Sequence, residues 1–431
     1  MMSLPSGWMG DMSARDHLEG LTSFIKASPS SYHAAEEVAA QLEASGFTRL
    51  DETKPWDRSH GGQFIVRDGA VVAWLVPDAV DDSTGFRVVG SHTDSPTFKL
   101  KPNATATTVG WQQAGMEVYG GPLLNSWLDR ELGLAGRVTT VDGEVRMMRT
   151  GPILRIPQLA IHLDRSANDG LTLDRQQHTR PLYAVSDAEL NIEDYLCEEA
   201  GIDPADLAHH DVVAFTTEEP ALFGVKDQFL AAPRMDNLTS VHASLVALGR
   251  VELGSDIAVM AAFDHEEVGS ASTSGAAGPI LEDVLRRIAV GHGIDGDRFA
   301  AMIRRSSCVS ADAGHAVHPN YVGQHDPQNQ PLVNGGPLLK INANQRYTTD
   351  AVGAALWKRA CAAAEVPVQP FVSNNAVPCG STIGPITATR LGIPTVDVGI
   401  PLLSMHSARE MCGVDDPWYL SRALEAYWSG V

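Results

Sequence analysis

Six side chains able to bind metal or move protons stand in short segments beside apolar runs, scattered over more than three hundred residues. His92 opens His-Thr-Asp at the end of a strand pattern over 86–89, and Asp236 lies in Pro-Arg-Met-Asp-Asn just before a helix pattern. Glu266 and Glu267 follow the apolar run 257–263, Asp312 follows the run 306–310, and His406 lies in Met-His-Ser-Ala-Arg-Glu after the run 395–398. Imidazole and carboxylate groups suit zinc, which lowers the pKa of a bound water to about 7 and polarises a carbonyl. Two such ions about 3.5–4 Å apart can share a bridging carboxylate and a bridging hydroxide, which suits hydrolysis of an unstrained amide. The spacing of His92 and Asp94 lets the imidazole bind metal through one nitrogen while Asp94 orients the ring. Adjacent carboxylates such as Glu266 and Glu267 repel unless a cation separates their roles. Each feature alone is common at strand ends and helix starts. Their joint presence, five candidate ligands and one further carboxylate to act as base, points to paired metal ions.

The elements that must position these groups read as alternating helix and strand. Apolar residues Leu18, Leu21 and Ile25 recur at helical spacing over about 13–27. Ser30 or Ser31 caps a second helix over 32–45, with Gly46 as its stop. Strands are expected over 71–76 and 86–89, and after Pro233 a helix over 238–251, strands over 257–263, 306–310 and 395–398, and an alanine-rich helix over 351–365. The run 257–263 is apolar throughout, as in a strand buried on both faces. Between about Lys99 and Gly224 the texture changes to threonine, valine, glycine and turn residues, as in 103–109 and 136–148. This predicts an α/β sandwich interrupted by a β-rich insertion.

Composition narrows the partners. A chain of 431 residues is too long for one simple core. The balance of 32 basic and 53 acidic residues gives a net charge of −21, a surface that repels nucleic acid. No apolar stretch is long enough to span a membrane, and residues 1–16 lack the pattern of a secretory signal. The five cysteines, Cys197, Cys308, Cys361, Cys379 and Cys412, have no metal-knuckle or redox-pair spacing and suit free thiols in the cytoplasm. An acidic protein that bound acidic ligands would need a local cation at its site.

In eight stretches the sequence resembles the aspartyl aminopeptidases, two-zinc exopeptidases related to the tetrahedral aminopeptidases. They are Gly-Ser-His-Thr-Asp-Ser-Pro (90–96), Ile-Leu-Arg-Ile-Pro-Gln-Leu-Ala-Ile-His-Leu (153–163), Ala-Pro-Arg-Met-Asp-Asn (232–237) and Glu-Glu-Val-Gly-Ser (266–270). The others are Ser-Ala-Asp-Ala-Gly-His-Ala-Val-His-Pro-Asn-Tyr (310–321), Asn-Gln-Arg-Tyr (344–347), Cys-Gly-Ser-Thr-Ile-Gly-Pro-Ile (379–386) and Met-His-Ser-Ala-Arg-Glu (405–410). They span nearly the whole chain in order.

The resemblance implies a three-layer α/β/α zinc-peptidase domain of residues 1–98 and 232–431, with a β-rich dimerisation domain inserted at 99–231. It implies two Zn2+ per subunit, replaceable by Co2+ or Mn2+, with His92 and Asp312 on one ion, Glu267 and His406 on the other, and Asp236 bridging. Glu266 would be the general base, with a second ligand or a surface charge as its alternative. Peptides with acidic N-termini would be the substrates. Lys340 would supply the cation for the acidic side chain, with Arg346 and His315 as further candidates for the pocket. His162 would reach a neighbouring subunit's active site and stabilise the oxyanion there, in an assembly expected to be a tetrahedral dodecamer. Residues 120–126 and 178–191 depart from the family's pattern, which bears on assembly more than on chemistry. A broad or neutral aminopeptidase, a metallo-deacylase, and a catalytically silent assembly protein are the competing readings.

Overall fold

A computed structural model describes residues 12–56, 60–185 and 190–431; the start of the N-terminal segment and part of 178–191 lie outside the described residues. Its largest sheet has nine described strands in the order Thr48–Arg49, Gly61–Arg67, Ala70–Val76, Ile257–Phe263, Phe86–His92, Ser307–Ala311, Thr395–Gly399, Leu338–Ile341 and Gln369–Val372. Side chains alternate faces along a strand, and both faces are covered. Val71, Ala73, Ala258, Met260 and Ala262 face one core, shared with the helices Ala14–Ala27, Ser31–Ala44, Met235–Arg250, Ala351–Ala363 and Asp416–Trp428. Val72, Trp74, Ile257, Val259 and Ala261 face the other, under the helices Ile280–Gly291, Gly296–Arg305 and Ile383–Leu391. The result is the expected three-layer α/β/α arrangement.

Local signals account for several boundaries. Ser13 and Asp16 form a reciprocal capping box on the first helix, and Ser30 caps the second. Every residue of Ile257–Phe263 is buried, because helices cover it above and below.

A second sheet has seven described strands, all antiparallel, drawn from residues 97–216. Leu207–Thr216 pairs both with Thr97–Thr108 and with Glu131–Thr140, so the sheet curls into a closed ring around its own core of Phe98, Trp127, Leu134 and Leu196. A third sheet joins the parts: Ala221–Phe223, Phe229–Ala232, Glu410–Gly413, Pro401–Leu403 and Gly314–His315. We propose the division at 98/99 and 231/232; the separate cores support it to within a few residues, since Phe98 packs in the core of the second sheet and Leu230 in a core of the large one, and the third sheet is the seam. No helix among the described residues is long and apolar enough to cross a membrane.

Candidate metal centre

The strands Ile257–Phe263, Phe86–His92 and Ser307–Ala311 run parallel and end along one edge of the large sheet. The carboxyl ends of parallel strands form a ready-made crevice, and the candidate residues emerge there. His92 is the last residue of its strand and Asp312 follows its own directly. Glu266 and Glu267 begin a short turn just past Phe263, and Asp236 lies at the start of Met235–Arg250. Gly399 brings the neighbouring strand close: a Cβ there would stand 1.7 Å from the Asp312 carbonyl oxygen.

His92 Nε2 lies 3.4 Å from both Asp236 Oδ1 and Asp312 Oδ1. His406 Nε2 lies 3.3 Å from Asp236 Oδ2 and 3.5 Å from Glu267 Oε2. Ligands on a tetrahedral zinc at bonds of about 2.0–2.1 Å are spaced by about 3.3 Å. The five residues therefore form two triads, His92–Asp236–Asp312 and Asp236–Glu267–His406, that share the two oxygens of Asp236. Asp236 Oδ1 is buried without a hydrogen-bond partner among the described residues, as a ligand atom would be. The donor set fits two divalent cations. Glu266 is also close, within a group with His92 and Glu267 whose ligand atoms all lie within 4.8 Å of one another.

The other ring nitrogens are held by carbonyls. His92 Nδ1 donates to the Asp94 carbonyl oxygen at 3.0 Å, and His406 Nδ1 donates to the Gly121 carbonyl at 3.0 Å. Each contact leaves Nε2 facing the triads. Asp94 thus orients His92 chiefly through its backbone, while its carboxylate, 3.5 Å from the ring, has other work. Its Oδ1 accepts the Glu266 N–H at 3.0 Å, and its Oδ2 accepts the Glu267 N–H at 3.1 Å and the Tyr119 hydroxyl at 2.7 Å. Glu410 clamps the opposite side, accepting the N–H of Asp236 at 3.0 Å and that of His406 at 2.8 Å.

Charge is concentrated here. Burial opposes a proton on His92, but the carboxylates of Asp236, Asp312 and Asp94 outweigh it and hold its pKa well above the usual range. Burial likewise opposes charge on His406, and Asp236 with Glu267 outweighs it and raises its pKa to about 10. Burial raises Glu266 to about 7, with Asp312 and Asp236 adding to the rise against the pull of His92. Burial and the nearby Asp236 hold Glu267 well above the usual carboxylate range. Cations between these groups would relieve that repulsion.

The same cleft is lined by Lys340, His315, Tyr347 and the segment 380–382. Lys340 is fully buried; its Nζ donates to the Ala313 carbonyl at 2.7 Å and lies 3.7 Å from Asp312 Oδ2. Arg346 does not line the cleft: it is exposed, and its Nε donates to the Gly380 carbonyl at 3.4 Å. His162 is exposed, away from the cleft of its own subunit, between exposed Ile161 and Leu163. Sequence reasoning did not single out Glu410, although it stands in the Met-His-Ser-Ala-Arg-Glu stretch; nothing in the sequence marks Tyr119, and Gly121 figures only within the departing segment 120–126.

Residues 24–428 match the family described as Aminopeptidase I zinc metalloprotease (M18). A probable M18 family aminopeptidase 2 of Streptomyces coelicolor is 48% identical, over 96% of this chain and 98% of that one. A counterpart in Pseudomonas aeruginosa is 43% identical, over 95% of this chain and 97% of that one. Among solved structures, the chain matches one described as the complex of Ape4 and Nbr1 with a TM-score of 0.93 and 35% identity, covering 99% of this chain and 88% of that one. It also matches the mApe1 dodecamer of Saccharomyces with a TM-score of 0.84 and 27% identity, covering 96% and 97%. The chain belongs to the M18 family of zinc metalloproteases, and it is an aminopeptidase.

Proposed function

We propose that this aminopeptidase holds two zinc ions per subunit and releases acidic residues, Asp or Glu, from peptide N-termini. The observation that carries the two-metal reading is Asp236, whose two oxygens each face a different histidine, at 3.4 and 3.3 Å. His92 and Asp312 would hold one ion, Glu267 and His406 the other, with Asp236 between them; Co2+ or Mn2+ would substitute. When bound, the pair would supply an acidified water and a polarised scissile carbonyl.

The chain's own residues do the rest. Glu266, half-buried beside His92 and Glu267 and with its N–H held by Asp94, accepts a proton from the attacking water and passes it to the leaving amine nitrogen. Asp94 fixes the backbone of Glu266 and Glu267, so that base and ligand keep their separate directions. The Lys340 ammonium, buried in the cleft, attracts the substrate's side-chain carboxylate in a molecule whose net charge of −21 otherwise repels it. His315, solvent-accessible at the same cleft, borders that pocket, and Arg346 braces it from outside through Gly380.

The subunits would assemble into a tetrahedral dodecamer, in which the exposed His162 reaches a neighbour's active site and stabilises the oxyanion. The exposed apolar side chains of Leu159, Ile161 and Leu163 around it support a buried destination for this loop. Free thiols at all five cysteines support a cytoplasmic setting.

A broad or neutral specificity is the second reading. It is favoured by the bond Lys340 already makes to the Ala313 carbonyl and by its proximity to Asp312. A panel of aminoacyl substrates on metal-quantified protein separates the two. Higher kcat/KM on aspartyl and glutamyl substrates than on leucyl and alanyl ones is the expected result, and equal values would favour the second reading.

A further inference from the structure

Thr348, which follows Asn-Gln-Arg-Tyr (344–347), and Thr382, within Cys-Gly-Ser-Thr-Ile-Gly-Pro-Ile (379–386), meet at one buried carboxylate. Asp397, on the interior strand Thr395–Gly399, is fully buried. Its Oδ2 accepts the Thr348 N–H at 2.7 Å and the Thr348 hydroxyl at 2.8 Å. Its Oδ1 accepts the Thr382 hydroxyl at 2.6 Å. The Asp397 N–H in turn donates to Thr349 Oγ1 at 2.9 Å. A buried carboxylate demands hydrogen bonds, and those it receives are strong and directional. Here they come from two segments that are separate in sequence.

Both segments are walls of the cleft. Thr348 follows Tyr347, and Thr382 follows Gly380 and Ser381; Tyr347, Gly380, Ser381 and Thr382 all line the space beside Lys340. Thr382 also caps the helix Ile383–Leu391, its hydroxyl accepting the Gly384 N–H at 3.3 Å. Gly384 permits the close approach, since a Cβ there would stand 2.3 Å from Asp397 Oδ1. Lys340 is the cross-strand partner of Asp397. One carboxylate therefore ties both loops to the strand that pairs with the one carrying the cleft lysine.

We propose that Asp397 is a positioning residue for substrate recognition: without touching substrate, it sets the separation of the two loop walls that enclose the substrate's first side chain. The proposal rests on the cleft being the substrate site, as argued under Proposed function, and it holds whichever first residue is preferred.

The test is steady-state kinetics of full-length, metal-quantified protein on the wild type's best aminoacyl substrate and on a leucyl substrate. Thr382→Val removes one tether and leaves Asp397 in place. Its KM on the best substrate should rise about tenfold, the scale of losing a hydrogen bond to a charged group, with kcat within about threefold. Thr382→Ser, which keeps the hydroxyl, should restore the KM. Asp397→Asn should raise KM at least as far, with metal content equal to the wild type's. If Asp397→Asn does not fold, the Val and Ser pair decides. A folded, metal-loaded Thr382→Val with unchanged KM and unchanged substrate ratio would overturn the proposal, as would a fall in kcat at constant KM. A wild type without acidic preference would refute the acidic specificity alone, while the KM comparison on its best substrate would still judge Asp397.

Discussion

The Tyr119 hydroxyl donates to Asp94 Oδ2 at 2.7 Å, across the junction between the ring-shaped sheet and the large sheet. The same Asp94 carboxylate accepts the N–H groups of Glu266 and Glu267, so a residue of the expected insertion bears on the proposed base through one intermediary. Two residues on, Gly121 holds the His406 ring. The segment 119–121 thus reaches both halves of the centre.

Tyr119→Phe keeps the ring and removes the donor. Partners that orient metal-site groups typically contribute about 10- to 100-fold in activity or metal affinity. We expect kcat/KM to fall within that range while the protein stays folded, measured by steady-state kinetics beside zinc titration. Wild-type values for both would remove any role for this contact.

Glu266→Gln preserves shape and abolishes the proton acceptor. The expected result is unaltered metal content with kcat lowered by about 10²–10⁴, the usual scale of general base catalysis. If the variant turned over like the wild type, another group would have to be the base.

Lys340→Met retains the buried stem and deletes the charge. The ratio of kcat/KM for aspartyl over leucyl substrates should fall by about 10- to 100-fold, the scale of a lost charge-assisted hydrogen bond. A proportional loss on every substrate would instead assign Lys340 to holding Asp312 and the Ala313 carbonyl.

His17 and His242 predict an acid-labile N-terminal helix. Their rings lie 4.7 Å apart, both buried, on the helices Ala14–Ala27 and Met235–Arg250. Burial lowers His242 to about 3, and burial with the nearby His242 and Arg250 holds His17 well below its usual 6.5. The unfolded chain takes up these protons first, so stability is full above about pH 6.5 and falls as pH drops toward the folded values. Each histidine contributes on the order of 1 kcal/mol per pH unit across that window. Denaturant midpoints from pH 7 to 4.5 should fall less steeply in His242→Phe than in the wild type; parallel curves would contradict this assignment.

Much of the framework was legible in the sequence because it depends on local pattern. The run 257–263 appears as Ile257–Phe263, and the helix expected over 351–365 appears as Ala351–Ala363. Ser30 caps the second helix as its position suggested. The helix Asp416–Trp428 and the strand Leu338–Ile341, which carries Lys340, drew no expectation; the strand is only four residues long, too short for periodicity to declare itself.

The site divides in the same way. Metal-binding side chains advertise themselves by type, and His92, Asp236, Glu267, Asp312 and His406 do converge. What orients them is relational. The Asp94 carbonyl rather than its carboxylate makes the closer contact to His92, and Glu410 acts through two backbone N–H groups. Backbone partners depend on the fold, and no residue type announces them. Arg346 shows the converse, since its type suited the pocket while its exposed position on the loop turned it outward.

The central claim is a carboxylate shared between two metal ions, and metal counting tests it most directly. Elemental analysis of zinc-reconstituted protein should give two ions per subunit in the wild type and a loss of both sites' occupancy in Asp236→Ala, with folding intact by circular dichroism. One ion or none in the wild type, or two retained in Asp236→Ala, would contradict the account.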